Sequence, residues 1–355
     1  MSEKYYIEFN RNTYYKVKDI ISCLPPFCQD FFIAIETRTS ELTRLNYASD
    51  LITFFDYLIS HLPSLLDREK TSITYQDMEA LTAGDIERFI SHVSYYSNKG
   101  KVMKNSERGK ARKLSAIRSL FRYLYINDKI TKDVASKVLT PKIHDKPIIR
   151  LENTEVRKLL DIVESESEFR SDKRNAYNLN TKERDLAILT LFLGTGIRVS
   201  ELVGLDLSDI DFDSLSFYVT RKGGNRSILY FTQEVKDAIL SYLPIREKML
   251  KSANIENMEA LFLSLQKKRI TVRAVEYLVK KHAHEASPLK KISPHKLRST
   301  YGTKLYSNTR DIYAVAEILG HRDVNTTKKH YAAISENIKK EAAQKVKLRE
   351  DATDD

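Results

Sequence analysis

Residues Gly194-Thr195-Gly196-Ile197-Arg198-Val199-Ser200-Glu201-Leu202 decide how this chain is read. The apolar run from Asp185 to Leu193 has helical spacing, two glycines interrupt it, and a polar helix start follows with Arg198 at the restart. A guanidinium beside the unsatisfied amides of a helix start suits a phosphate, because planar donors and the helix dipole favour the same anion. The same arginine also reads as a surface residue paired with Glu201 in an ordinary helix. The stretch therefore needs partners elsewhere in the chain.

Beyond Leu205 the hydrophobic period changes. Ile210 to Phe212, Ser216 to Thr220 and Arg226 to Phe231 alternate, which predicts three short strands of a small antiparallel sheet. Helical spacing then resumes, most plainly over Thr271 to His284, Pro294 to Tyr306 and Asp311 to Leu319. Upstream of the deciding stretch a helix opens near Asn153 or Thr154. The charged residues from Glu164 to Lys182 read as a long loop or insertion.

From about Pro25 to Val138 the spacing is helical throughout and no strand is expected; Leu51, Phe54, Phe55, Leu58 and Ile59 illustrate it. Thr82 predicts a helix start, because Asp85 three residues on answers the cap. Over Asn105 to Asn127, Leu114, Ile117, Phe121 and Leu124 form an inner face, leaving Arg108, Arg112, Ser115, Ser119 and Arg122 on a basic opposite face. Residues 140–147, with two prolines and no periodicity, read as an extended linker. The expected fold is mainly α. It comprises an N-terminal helical domain (1–140), a linker (141–150), an α-rich domain with a small antiparallel sheet (151–331) and a C-terminal tail (332–355).

The charge balance points to a polyanion. The 355 residues include 59 Lys and Arg against 48 Asp and Glu, a formal net charge of +11. Cys23 and Cys28, the only cysteines, flank a Pro-Pro turn, so there is neither a disulfide framework nor a second pair to complete a zinc site; both read as reduced bystanders. No apolar run is long enough to span a bilayer and the start lacks a secretory signal, so no membrane association and a cytoplasmic location are expected.

Three further groups carry chemistry. Arg221-Lys222-Gly223-Gly224-Asn225-Arg226 puts Lys222 in a tight turn between two strands, where an ammonium can serve as a general acid or simply solubilise a hairpin. In Ser293-Pro294-His295-Lys296-Leu297-Arg298, Ser293 is expected to cap a helix whose first position is Pro294. His295 and Arg298, three apart, then share a face near its positive end. In Ile318-Leu319-Gly320-His321 a glycine ends a helix and delivers a histidine, and Tyr331 follows ten positions later. A phenol with a pKa of about 10 is a poor nucleophile unless cations stabilise its phenolate. The earlier groups supply such cations. His282 and His284 lack the Glu-containing spacing of a zinc helix and read as solvated.

The order Arg198, Lys222, His295-x-x-Arg298, Leu319-Gly320-His321, Tyr331 resembles the catalytic signature of the tyrosine recombinases, the phage-integrase-like family, at all six positions. TGIRVSEL at 195–202, PKIHDKPI at 141–148 followed by LENTEV at 151–156, and LGH at 319–321 are similar to the Xer branch. The segment 164–182 and the overall length look closest to its single-recombinase XerS type.

The resemblance implies a SAM-like core-binding domain followed by the tyrosine recombinase catalytic fold, the two clamping duplex DNA. Arg198 and Arg298 would hold the scissile phosphate, His295 and His321 complete its pocket, Lys222 protonate the leaving 5′ oxygen, and Tyr331 become linked to the 3′ phosphate. Glu201 looks like the acid that orients the pocket. No metal or other cofactor is implied, nor ATP, since the phosphotyrosine conserves the energy of the broken diester.

Arg108, Lys110, Arg112, Lys113, Arg118 and Arg122 are the candidate groove-facing residues; a solvated helix face is the plainer alternative. Ile334, Ile338, Ala342 and Val346 recur every four residues in the tail, a stripe suited to docking on a neighbouring subunit. The implied function is site-specific recombination through a 3′-phosphotyrosine and a Holliday junction, resolving chromosome dimers at a dif-like site. The implied assembly is a homotetramer on DNA, with a translocase of the FtsK type as licensing partner. A type IB topoisomerase shares the chemistry but works as a monomer, and an inactive DNA-binding regulator would bind without covalent capture.

Overall fold

Ser40, Thr74, Thr82 and Ser106 each stand just before a helix and accept a hydrogen bond from the backbone N–H three residues on. At Thr74 and Thr82 an aspartate at the third helical position returns the bond, closing two capping boxes. These starts fix four helices: α3 (Glu41–His61), α4 (Tyr75–Ala80), α5 (Ala83–His92) and α6 (Glu107–Ile126). With α1 (Glu3–Ile21) and α2 (Phe27–Ala34) before them, they account for the N-terminal helical region. The computed structural model describes residues 3–98, 100–144, 148–165, 181–221, 224–255, 258–320 and 324. The chain divides into two units, Ile7–Lys146, and Met1–Tyr6 with Pro147–Asp355.

In the first unit an aromatic core gathers the helices. Phe54 stacks edge-on to Phe89 at 5.1 Å, Phe31 meets Tyr123 at 5.7 Å, and Leu114, Ile117, Phe121 and Leu124 of α6 are fully buried as their spacing predicts. Two elements depart from expectation. Helix α1 precedes the predicted helical stretch, and strands β1 (Tyr95–Asn98) and β2 (Lys101–Lys104) form an antiparallel hairpin where no strand was expected. Gly100 at φ 75° supplies the turn that makes it possible.

The second unit is built around α8 (Lys182–Thr195), whose Ala187, Ile188, Leu189, Leu191 and Phe192 are buried on every side, as a central helix requires. Around it pack α7 (Asn153–Ser165), α10 (Gln233–Lys251) and α12 (Pro294–Thr309). Between them come α9 (Val199–Val203), α11 (Val272–Ala286), α13 (Ile312–Leu319) and an antiparallel sheet of order β3 (Ile210–Asp211), β4 (Ser216–Thr220), β5 (Arg226–Tyr230). Lys4 joins this unit through Glu259 at 2.8 Å, and Arg269 lies over the Tyr5 ring at 4.7 Å.

His282 corrects the expectation of a solvated residue. It is completely buried, and its Nε2 lies 3.2 Å from Asp185 Oδ2, while Arg184 donates to the other oxygen of the same carboxylate and to Leu263 O. It sits on the α11 face carrying Val275, Leu278 and Val279, so burial follows its neighbours, and the carboxylate supplies the partner that an interior imidazole needs. The cysteines are free, Cys23 exposed and Cys28 buried. Among the described residues no helix is long and apolar enough to cross a membrane.

Candidate active site

Helix α8 stops at Gly196, which takes φ 63°, ψ 23°; a Cβ there would fall 2.5 Å from the Tyr301 ring. Only glycine satisfies both the left-handed turn and the close approach of α12. Two residues later Arg198 occupies the cap position of α9. Its backbone N–H donates to Glu201 Oε2 at 2.9 Å and its Nη1 to Oε1 at 2.7 Å, so one carboxylate fixes both ends of the arginine. Nη2 then reaches Leu319 O at 3.2 Å and Gly320 O at 2.9 Å.

Arg298 arrives at the same place from α12. It is buried, donating from Nη1 to Gly196 O at 2.5 Å and from Nη2 to Leu319 O. A third guanidinium, not anticipated from the sequence, joins them: Arg221 follows β4, and its Nη2 donates to Ile318 O at 2.9 Å. The consecutive carbonyls of Ile318, Leu319 and Gly320 close α13, where a helix leaves its acceptors unmet and its dipole is negative. Three arginines thus converge on one helix end.

The electrostatics favour an anion. Burial pushes the Glu201 carboxyl up, but the charge of Arg198, the two hydrogen bonds from that residue and the charge of Arg298 outweigh it and hold the group below the ordinary carboxylate range. Three guanidinium groups against one carboxylate leave two positive charges in excess. Of the three, Arg198 and Arg298 offer the pair of forked donors that suits a phosphodiester as charge grows on its oxygens.

A pH prediction follows. Because the folded carboxyl of Glu201 titrates below its unfolded value of about 4.5, its stabilisation is complete above that pH and is lost as pH falls through the depressed folded value. Thermal unfolding from pH 6 to pH 3 should show Glu201→Gln losing less stability on acidification than the parent chain; parallel curves would refute it.

The remaining candidates divide. His295 is described, exposed on the first turn of α12, with Ser299 Oγ donating to its carbonyl at 3.0 Å. Ser293 stands at the cap and Pro294 at the first helical position as expected, but the Ser293 side chain makes no capping hydrogen bond. Lys222, His321, Tyr331 and the 332–355 tail lie outside the described residues. In the chain, Lys222 directly follows Arg221 and His321 directly follows Gly320.

On α6 the basic cluster separates into two kinds of residue. Arg108, Arg112 and Arg122 are exposed, and Lys110 pairs with Glu107 at 3.0 Å. Lys113 is buried against Asp50 at 2.9 Å, a carboxylate that the exposed Arg112 also reaches at 2.8 Å. Arg118 donates to Ala135 O, Val138 O and Thr140 Oγ1, strapping down the 135–140 segment. Both therefore turn inward from the face assigned to them, Lys113 by its burial and Arg118 by its bonds to the 135–140 segment.

The profile of the phage integrase family matches residues 150–337. The chain is 33% identical over 336 residues to the tyrosine recombinase XerC of Caldanaerobacter subterraneus subsp. tengcongensis, covering 92% of this chain and 88% of that one. It is 31% identical over 338 residues to the tyrosine recombinase XerS of Streptococcus thermophilus, covering 88% and 93%. Among solved structures, XerH recombinase bound to palindromic difH substrate in a post-cleavage complex aligns with a TM-score of 0.61 at 18% identity, over 86% of this chain and 80% of that one. A lambda integrase dimer bound to a COC′ core site aligns with a TM-score of 0.58 at 17% identity, over 86% and 93%. At these identities the two structures speak for a common fold.

Proposed function

The chain belongs to the phage integrase family and is a tyrosine-type site-specific recombinase, and from that premise we propose that it cuts and rejoins duplex DNA by the following route. The scissile phosphate rests on Arg198 and Arg298, whose forked donors meet the equatorial oxygens as charge grows there. Tyr331 Oη forms a bond to phosphorus while the P–O5′ bond breaks, Lys222 gives a proton to O5′, and the phenol proton passes to an imidazole of the pocket, His295 or His321. A 3′-phosphotyrosine and a 5′-hydroxyl result. The observation that carries this reading is the convergence of Arg198 and Arg298, 100 positions apart in sequence, on Leu319 O beside a buried, ionised Glu201.

The finer reading is resolution of chromosome dimers at a dif-like site, through a Holliday junction, by a homotetramer licensed by a translocase of the FtsK type. It is supported by the Xer relatives and by the difH substrate in the XerH complex. The test is a nicked suicide duplex carrying a candidate site: covalent protein–DNA capture and four-way junctions on intact duplexes are expected, and specific binding without capture would point to an inactive regulator. The tail stripe Ile334, Ile338, Ala342, Val346 is the proposed coupling between subunits. Truncation after Ile334 should leave duplex affinity largely intact and abolish tetramers on DNA in analytical ultracentrifugation, and undiminished tetramers would defeat that assignment.

The DNA surface of the first unit is proposed to comprise Arg108, Arg112 and Arg122, extended by the β1–β2 hairpin. From Arg88 to Ser106 the sequence holds no acid, and Tyr95, Val102, Met103 and Lys104 are exposed. Arg108→Ala or Lys104→Ala should each lower the slope of log affinity against log salt by about one. Lys113→Ala should instead destabilise the unit by about 1 to 3 kcal/mol, because buried Asp50 loses the hydrogen bond at Oδ1 and keeps only the ion pair of Arg112 at Oδ2. Equilibrium unfolding together with a salt titration separates the two classes; a lowered salt slope with unchanged stability for Lys113→Ala would reverse their assignment.

A further inference from the structure

One side chain fastens the β4–β5 hairpin to the end of α13, and the reaction as described does not use it. Besides its bond to Ile318 O, the Arg221 guanidinium lies directly over Gly320, where a Cβ would fall 1.4 Å from Nη1 and 2.5 Å from Cζ. Gly320 adopts φ 59°, ψ 48°, so the position requires glycine for its handedness and again for the space that Arg221 fills. The backbone of Arg221 is pinned as firmly. Its N–H donates to Asn225 O at 2.8 Å and its carbonyl accepts from Gly224 N–H at 3.0 Å, closing the root of the turn.

This is an unfavourable seat for a cation. Burial lowers its pKa, Glu201 acts to raise it and Arg198 lowers it again; its Nε is buried with no hydrogen-bond partner among the described residues. Among the described residues its guanidinium donates one hydrogen bond, to the helix end. The positions immediately following the two ends of that contact, Lys222 after Arg221 and His321 after Gly320, are two of the proposed catalytic groups.

We infer that Arg221 is a positioning residue: seated on Ile318 O and Gly320, it sets where Lys222 meets the departing O5′, without itself holding the scissile phosphate. The inference rests on the reading of Lys222 as proton donor. In that step the P–O5′ bond breaks, its electron pair stays on O5′, and the lysine ammonium supplies the proton, leaving a neutral amine and a 5′-hydroxyl. A bridging 5′ sulfur leaves as a thiolate, a much weaker base than an alkoxide, and needs no proton.

The experiment compares full-length wild type, Arg221→Ala and Lys222→Ala in single-turnover capture on nicked duplexes carrying either O5′ or a 5′-bridging sulfur. Arg221→Ala is expected to lose about 100-fold on the oxygen substrate, the scale of general acid catalysis, and to stay within about 3-fold of wild type on sulfur. Capture on sulfur also certifies that each preparation is folded. Equal losses on both substrates would make Arg221 a phosphate ligand or a purely structural residue, and a wild-type rate on oxygen would remove any role; either overturns the inference. If Lys222→Ala is rescued by sulfur and Arg221→Ala is not, the inference alone fails. If Lys222→Ala is not rescued, the proton-donor reading falls and the inference with it, and if wild type captures neither substrate, the proposed reaction itself is wrong.

Discussion

Tyr331→Phe should bind its DNA site with wild-type affinity and trap no covalent complex on a nicked suicide duplex, a loss of at least about 10⁴-fold in capture, since removing a nucleophile removes the step it performs. The substitution deletes one oxygen and leaves the charge unchanged. Duplex affinity is governed by phosphate contacts over the whole interface, so it should be unmoved. A labelled 3′ strand makes the readout direct, because the adduct migrates with the protein on a denaturing gel. With 20 tyrosines in the chain, substitution of others such as Tyr301 and Tyr306 is a necessary comparison. Capture by Tyr331→Phe at the parental rate would transfer the nucleophile elsewhere and dissolve the mechanism proposed above.

The local parts of the site were legible in the sequence because their geometry is local. Arg198 and Glu201 are three positions apart at a helix start, and the structure joins them by the two hydrogen bonds that such spacing allows. Gly196 and Gly320 were legible as helix stops for the same reason, and both take left-handed backbone. Arg221 was not legible. Its partner lies 97 positions away, and nothing within a turn of it marks it off from Arg226 at the other side of the hairpin turn.

Elsewhere the signal was present and misread. Lys113 precedes Ala116, Ile117, Leu120 and Leu124 at inner-face intervals, and His282 shares a face with Val275, Leu278 and Val279; periodicity places both inside, against the habit of assigning polar residues to solvent. What periodicity does not give is the partner that makes burial tolerable. Asp50 lies 63 positions from Lys113, and Asp185 lies 97 from His282. The β1–β2 hairpin had a turn signal in Asn98-Lys99-Gly100, but four-residue strands carry too little alternation to stand out from flanking helices.

The same distinction between local and long-range structure governs Arg298, the substitution with the second largest expected effect. Arg298→Ala should reduce the capture rate by about 10² to 10³-fold, the range seen when one donor to a developing oxyanion is removed. Because Arg298 is buried and bonded to Gly196 O and Leu319 O, the change also strands the Gly196 carbonyl, at a cost of about 1 to 3 kcal/mol unless water reaches it, while Leu319 O keeps its bond from Arg198. Activity and stability would then fall together, and alanine alone does not separate them. Arg298→Lys does.

A lysine keeps the charge and one donor direction, so it restores part of the stability, but a single ammonium cannot hold two helix-end carbonyls and a phosphate oxygen at once. The expected pattern is a melting temperature nearer to wild type than that of Arg298→Ala, with a capture rate that remains low. DNA affinity at moderate salt should change little in either variant, since one phosphate among many is affected. If Arg298→Lys recovered the rate in proportion to its stability, the residue would be a structural clamp on α13. Arg198 would then be the only described guanidinium left to bind the scissile phosphate.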